Sequence, residues 1–229
     1  MQSRLWPLLI VTACAPAADD TRFGDDITIA ERPARSPYTG PEYFPPELGQ
    51  PTLRCSFDTD DRLHPILSEL ERDWYSRQLA AADEPSLYLL SREALRPSGS
   101  ATLRFTWLRS FHPPVVIRIE TSGPDLHRLV AKQLSGAGGY DPGEVSKTVE
   151  RPLTPAEAER LRTVLERARL FEIPPDPCPG GCDGSEWIFE AVEGRRYRFT
   201  SLWSPDTGPG HELGRFLMAL TGWEFDEVY

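Results

Sequence analysis

The chain of 229 residues is poor in the side chains that most often carry chemistry, with four His, four Cys and two Met. His64, His112, His127 and His211 are scattered, with neither His-x-His nor His-x-x-x-His spacing for a metal. Gly-x-Ser-x-Gly is absent, which argues against the nucleophile elbow of a hydrolase. Asp176 and Asp183 flank a loop without the spacing of a calcium-binding hand. The Gly-rich stretch 136–143 is not followed by Gly-Lys-Ser/Thr, and the next residues are strand-like. It therefore reads as a long hairpin connection rather than a phosphate cradle. Basic residues are also scarce, 25 Lys+Arg against 35 Asp+Glu for a net charge of −10. That balance argues against a nucleic-acid role, because phosphate contacts need a concentrated basic face. No run approaches the ~18–20 apolar residues of a membrane-spanning helix. Neither a cofactor nor a metal is expected.

What is present suffices for a core: 39% of residues are hydrophobic, which excludes wholesale disorder. Arg4 is the one charge in residues 1–18, and an apolar run follows it over 5–13. This is the pattern of a short secretory signal. The run ends in Val11-Thr12-Ala13-Cys14, which resembles the lipobox of bacterial lipoproteins: an aliphatic residue, two small ones and a cysteine. By that resemblance residues 1–13 are a signal peptide, and Cys14 is the lipid-attachment site and first mature residue. Several acyl chains would then hold the protein stably on a membrane. Ala15 stands where an Asp would mark inner-membrane retention, so the resemblance implies an outer-membrane lipoprotein facing the periplasm. Two alternatives stay open, cleavage after Ala17 to give a soluble periplasmic or secreted protein, and an apolar N-terminus with no export role.

Residues 14–51 are expected to form the anchor and a Pro-rich acidic tether. Residues 15–50 have a net charge of −4, and six prolines fall within 30–51. Proline fixes φ and lacks an N–H, favouring extended polyproline II. Tyr38, Tyr43 and Phe44 admit a second reading, in which the strip folds back over the domain.

Residues 52–229 are expected to form one globular domain. Leu53, Cys55 and Phe57 alternate as in a strand. A helical run to about Ala82 places Leu67, Leu70, Trp74 and Ala81 on one stripe. Residues 103–108 and 115–120 alternate about Pro113-Pro114 and pair as a hairpin, and two further strands flank the Gly-rich connection. Thr154-Pro155-Ala156-Glu157 is a helix start, with Thr as N-cap, Pro at the first helical position and Glu closing a capping box. Residues 187–192 and 196–203 form a second hairpin at Glu193-Gly194. A last helix from about Gly210 is capped by Gly222. Short connections make the sheet antiparallel, about five to seven strands packed by two or three helices, and the class α+β.

Several segments carry a resemblance: Trp74-Tyr75-Ser76-Arg77, Glu84-Pro85-Ser86-Leu87, and residues 104–119, 135–143, 183–190 and 196–205. Together they are similar to an uncharacterised family of predicted proteobacterial exported proteins, over most of residues 70–225. The resemblance implies an exported domain and brings no activity with it.

With Cys14 lipidated, Cys55, Cys178 and Cys182 remain. The close pair Cys178 and Cys182 in a Pro-rich loop is expected to form a structural disulfide, leaving Cys55 a buried small hydrophobe; the rival pairing joins Cys55 to a loop cysteine. Arg104 and Arg118 lie opposite the apolar alternation of the first hairpin, a candidate anion-binding face that Arg128 or Lys132 would extend. Trp187 and Trp203 are a candidate aromatic groove for a sugar, against the alternative that they build core. The functional expectation is a lipid-anchored cell-envelope protein, a non-catalytic binding or assembly component in the periplasm. Its expected partners are the membrane, through the anchor, and an envelope protein or anionic glycan or lipid. A periplasmic hydrolase and an inhibitor or immunity-like protein are the alternatives.

Overall fold

The structure, a computed structural model, describes residues 37–55, 61–93, 97–123, 126–172, 181 and 183–229. Cys14, Cys178 and Cys182 lie outside the described residues. Pro37–Tyr229 form one compact unit.

Its centre is a six-stranded antiparallel sheet. In chain order, after the small hairpin of β1 (Pro51–Arg54) and β2 (Leu63–Pro65), come β3 (Ser100–Arg109), β4 (Val115–Ser122), β5 (His127–Leu134), β6 (Val145–Pro152), β7 (Ser185–Glu193) and β8 (Arg196–Trp203). The spatial order is β6-β5-β4-β3-β7-β8. Strands β3 to β6 are a meander. Helix α3 (Pro155–Ala168) then carries the chain back past three strands, so that β7 pairs with β3. Three other helices complete the fold, α1 (Glu69–Ala81), the short α2 (Leu87–Arg92) and α4 (Gly208–Leu220). The protein is a single α+β domain.

Both faces of the sheet are covered. Leu103, Phe105, Trp107, Ile117, Trp187 and Phe189 pack against Leu161 of α3 and Leu213 and Leu217 of α4. On the other face Leu108, Val116, Leu134 and Ile188 meet Tyr75 and Leu79 of α1 together with Leu67, Tyr43 and Phe44. Side chains alternate across the sheet with period two, so each central strand feeds both cores.

The local signals at 154 and 222 hold. The Thr154 hydroxyl accepts from the Glu157 backbone N–H, and the Glu157 carboxylate accepts from that of Thr154. Arg151 adds two hydrogen bonds to the same carboxylate and, as the first cause, holds its pKa down at about 2. Gly222 follows α4 at φ +69°, the left-handed position where glycine costs least.

Three expectations are corrected. Helix α1 starts at Glu69, because Ser68 and Glu71 form a capping box. Its buried face is therefore Tyr75, Ser76, Gln78 and Leu79, while Leu70 is 79% exposed. The domain begins at Pro37 rather than residue 52, since Phe44 is wholly buried and meets Tyr75 and Phe199 edge-on. That strip is tied down by Arg72, which donates to the Phe44 and Pro45 carbonyls, and by Ser86, which donates to Glu42. Cys55 is buried and disulfide-bonded rather than a lone thiol.

Candidate functional site

The two arginines expected on a solvated face are inside the protein. Arg104 of β3 is 0% exposed and Arg118 of β4 is 8% exposed. The alternation places them opposite the α3–α4 core as expected, but α1, α2 and the 37–49 strip form a second layer over that face. An open anion-binding face is thereby overturned.

The buried guanidiniums are matched by carboxylates. Arg104 donates through Nε and Nη2 to Glu190 of β7, at 2.8 and 2.6 Å, and through Nη1 to the Pro85 carbonyl. Arg118 donates through Nε to Glu84 at 2.8 Å and also pairs with Glu120. Lys132 of β5 reaches Glu84 at 3.1 Å and donates to the Ala82 and Asp83 carbonyls beyond the end of α1. Tyr197 donates to the other oxygen of Glu190, and burial pushes its hydroxyl pKa well up, so it stays a donor. Three cations thus face three carboxylates. Such a cluster specifies how the α1–α2 layer seats on the sheet, at a desolvation cost that pairing offsets.

Trp187 and Trp203 form no groove. Trp187 is opposite Leu202 and Trp203 is opposite Glu186. Directly opposed residues point to the same face, so the two indoles lie on opposite faces of the sheet. Trp187 is wholly buried, against Phe105 and Trp107.

The Gly-rich connection is structural. Gly138 accepts from the Trp74 indole at 2.6 Å and from Gln78 at 3.1 Å, and donates to the His112 carbonyl. A Cβ at Gly138 would fall 2.6 Å from the Arg109 backbone, so this close approach requires glycine.

The four histidines are dispersed. His112 Nδ1 lies 2.8 Å from the Tyr229 hydroxyl, His127 Nδ1 lies 2.9 Å from Thr121 Oγ1, and His211 packs on Trp187. Among the described residues no group of three His, Cys, Asp or Glu could hold a metal. No helix among them is long and apolar enough to cross a membrane. A solvent-open cavity of about 450 Å³ lies over β4–β6, lined by Glu120, His127, Arg128 and Glu150 among others. Its charges are already paired, Arg128 with both Glu120 and Glu150.

Two polar groupings had no signal in the sequence. Glu186 of β7 is hydrogen-bonded to Tyr75, and burial, with repulsion from Glu71, pushes its pKa up to about 8. The second is a cradle at the end of the α3–α4 face. Trp107 Nε1 and Trp187 Nε1 donate to the Tyr229 backbone oxygen at 3.2 and 2.9 Å, and the Ser185 hydroxyl donates to the same atom.

Compared with protein-family models and with curated proteins, the chain finds no match.

Proposed function

We propose that the protein is a lipid-anchored component of the cell envelope whose α+β domain binds or assembles with another envelope protein and carries out no catalysis. The observation that carries this reading is Val11-Thr12-Ala13-Cys14 at the end of a short apolar run. In the domain, support comes from how its ionic groups are used. Arg104 with Glu190, Arg118 with Glu84, and Arg151 with Glu157 bind the protein to itself. A surface feature also fits a partner: the rings of Phe111 and Tyr140, 59% and 51% exposed, lie 6.2 Å apart on neighbouring loops.

The test is metabolic labelling with an alkyne fatty acid, followed by membrane fractionation and affinity capture from the native envelope. Wild type should take up label, sediment with membranes and retain a partner. Cys14→Ala should lose label and sedimentation while the purified domain still captures the partner. Unlabelled wild type would end the lipoprotein reading.

A further inference from the structure

Among the described residues two aromatic side chains are exposed, and they lie together. Phe111, 59% exposed, stands in the turn between β3 and β4, and Tyr140, 51% exposed, in the connection between β5 and β6. Their ring centroids are 6.2 Å apart with planes inclined by 31°. Neither ring covers the other, since more than half of Phe111 and of Tyr140 stays in water.

The backbone beneath them is fixed. Gly138 donates to the His112 carbonyl at 2.9 Å, and the Gly139 N–H is shared between the Arg109 and Ser110 carbonyls at 3.2 and 3.3 Å. A Cβ at Gly139 would fall 2.9 Å from the Ser110 carbonyl oxygen, so the two loops touch through bare glycine backbone. Tyr140 donates to the Ala137 carbonyl at 2.9 Å, which closes the turn that carries its ring. From below, Trp74 and Gln78 of α1 hold the Gly138 carbonyl. An aromatic side chain on such a base has two torsions to lose when it is covered, so contact there costs little conformational entropy.

Size and charge narrow the occupant. A stable protein interface buries about 800 Å² on each partner, far more than two half-exposed rings supply. Neither loop carries another exposed large apolar side chain. Residues 110–114 and 135–143 contain no Lys or Arg, which disfavours a phosphate or other anion, and Asp141 is their one carboxylate. A pyranose with equatorial hydroxyls fits what remains. Its flat faces carry C–H groups whose weakly positive hydrogens meet the negative face of an aromatic ring, and its hydroxyls lie at the rim. Asp141 is exposed beside Tyr140. Its carboxylate accepts from the Gly143 N–H at 3.2 Å and has further lone pairs for hydroxyl donors.

We propose that Phe111 and Tyr140 form a stacking platform for a neutral, β-linked oligosaccharide of glucose-type rings, with Asp141 accepting from a hydroxyl at its rim. This rests on the reading of the pair as a contact surface under the proposed function, and not on the lipid anchor.

The experiment titrates the intact chain with cellotetraose, chitotetraose and, as the α-linked control, maltotetraose, followed by calorimetry and saturation-transfer NMR. At least one β-linked tetrasaccharide should bind, more tightly than maltotetraose, with saturation reaching its ring C–H protons. Phe111→Ala and Tyr140→Ala should each weaken binding by about fivefold, and Phe111→Tyr should restore it to within about twofold. Both positions are exposed, and circular dichroism checks that the variants fold. Absence of binding by both β-linked sugars up to about 10 mM, or binding that survives both alanine variants, overturns the proposal. Should no sugar bind while Phe111→Ala abolishes capture of an envelope protein, the rings belong to that protein. The saccharide proposal then fails and the proposed function stands.

Discussion

Arg104 and Arg118 stand directly opposite one another on adjacent strands, two guanidiniums facing each other across β3 and β4 inside the protein. Like charges so placed repel. Here Glu190 on one side and Glu84 on the other take up the donors, so the repulsion is divided between two ion pairs.

Removing one partner should therefore cost far more than removing both. Arg104→Met leaves Glu190 buried and uncompensated, and should lower stability by about 3–5 kcal/mol. Adding Glu190→Gln should return much of that loss. Urea unfolding of the two single variants and the double variant measures the coupling, and additive losses would show that the pair contributes nothing as a pair.

Glu186 makes stability depend on pH in a defined direction. Its folded pKa of about 8 lies above the ordinary 4.5, so the folded protein keeps a proton that the unfolded chain releases. Stability is then greatest below about pH 4.5, falls as pH rises toward about 8, and is flat beyond it as far as this group is concerned. Glu186→Gln should remove this slope and raise stability at pH 8 by up to about 4 kcal/mol. Unfolding curves for both proteins at pH 5, 7 and 9 check it. An unchanged slope would assign the proton elsewhere.

Phe44 belongs to the core despite its Pro-rich surroundings. Phe44→Ala should cost about 3–5 kcal/mol, as for other fully buried aromatics. A tether residue would give a change within about 0.5 kcal/mol, a difference that thermal unfolding resolves.

Gly138→Ala introduces a methyl group within 2.6 Å of the Arg109 backbone, which cannot rotate away. A loss of about 1–3 kcal/mol is expected, with a shifted Trp74 fluorescence as its indole loses the Gly138 carbonyl. Unchanged fluorescence and stability would contradict the close approach.

Cys55 should resist alkylation in denaturant until a reductant is added, and non-reducing peptide mapping should find it in a cross-linked fragment. A Cys55 that alkylates without reduction would contradict this.

What the sequence made legible was local. The Thr154–Glu157 box needs four adjacent residues, and Gly222 needs only the left-handed turn after a helix. The hairpins about Pro113-Pro114 and Glu193-Gly194 follow from period-two alternation across a short break. The phase of α1 was lost because the helix starts at the Ser68 cap, which turns Leu70 to solvent. The polar face of β3 and β4 read as solvated because alternation distinguishes two faces without saying what covers either. Glu84 and Glu190, which make burial of those arginines tolerable, lie far from them in sequence, Arg104 and Glu190 being 86 residues apart. The Tyr229 cradle is assembled from β3, β7 and the segment after α4, and no spacing along the chain encodes such a meeting.

The strip from Pro37 has a mechanical consequence. Tyr43 and Phe44 take this strip into the interior, and a pull on Pro37 is resisted first by the Tyr38 N–H bond to Asp73 and then by the Arg72 and Ser86 contacts to residues 42–45. Behind them the Tyr43 hydroxyl holds the Glu84 carbonyl, and the Glu84 carboxylate lies between Arg118 and Lys132. Tension at that end would reach the charged interior within a few bonds, before any strand of the central sheet had to part.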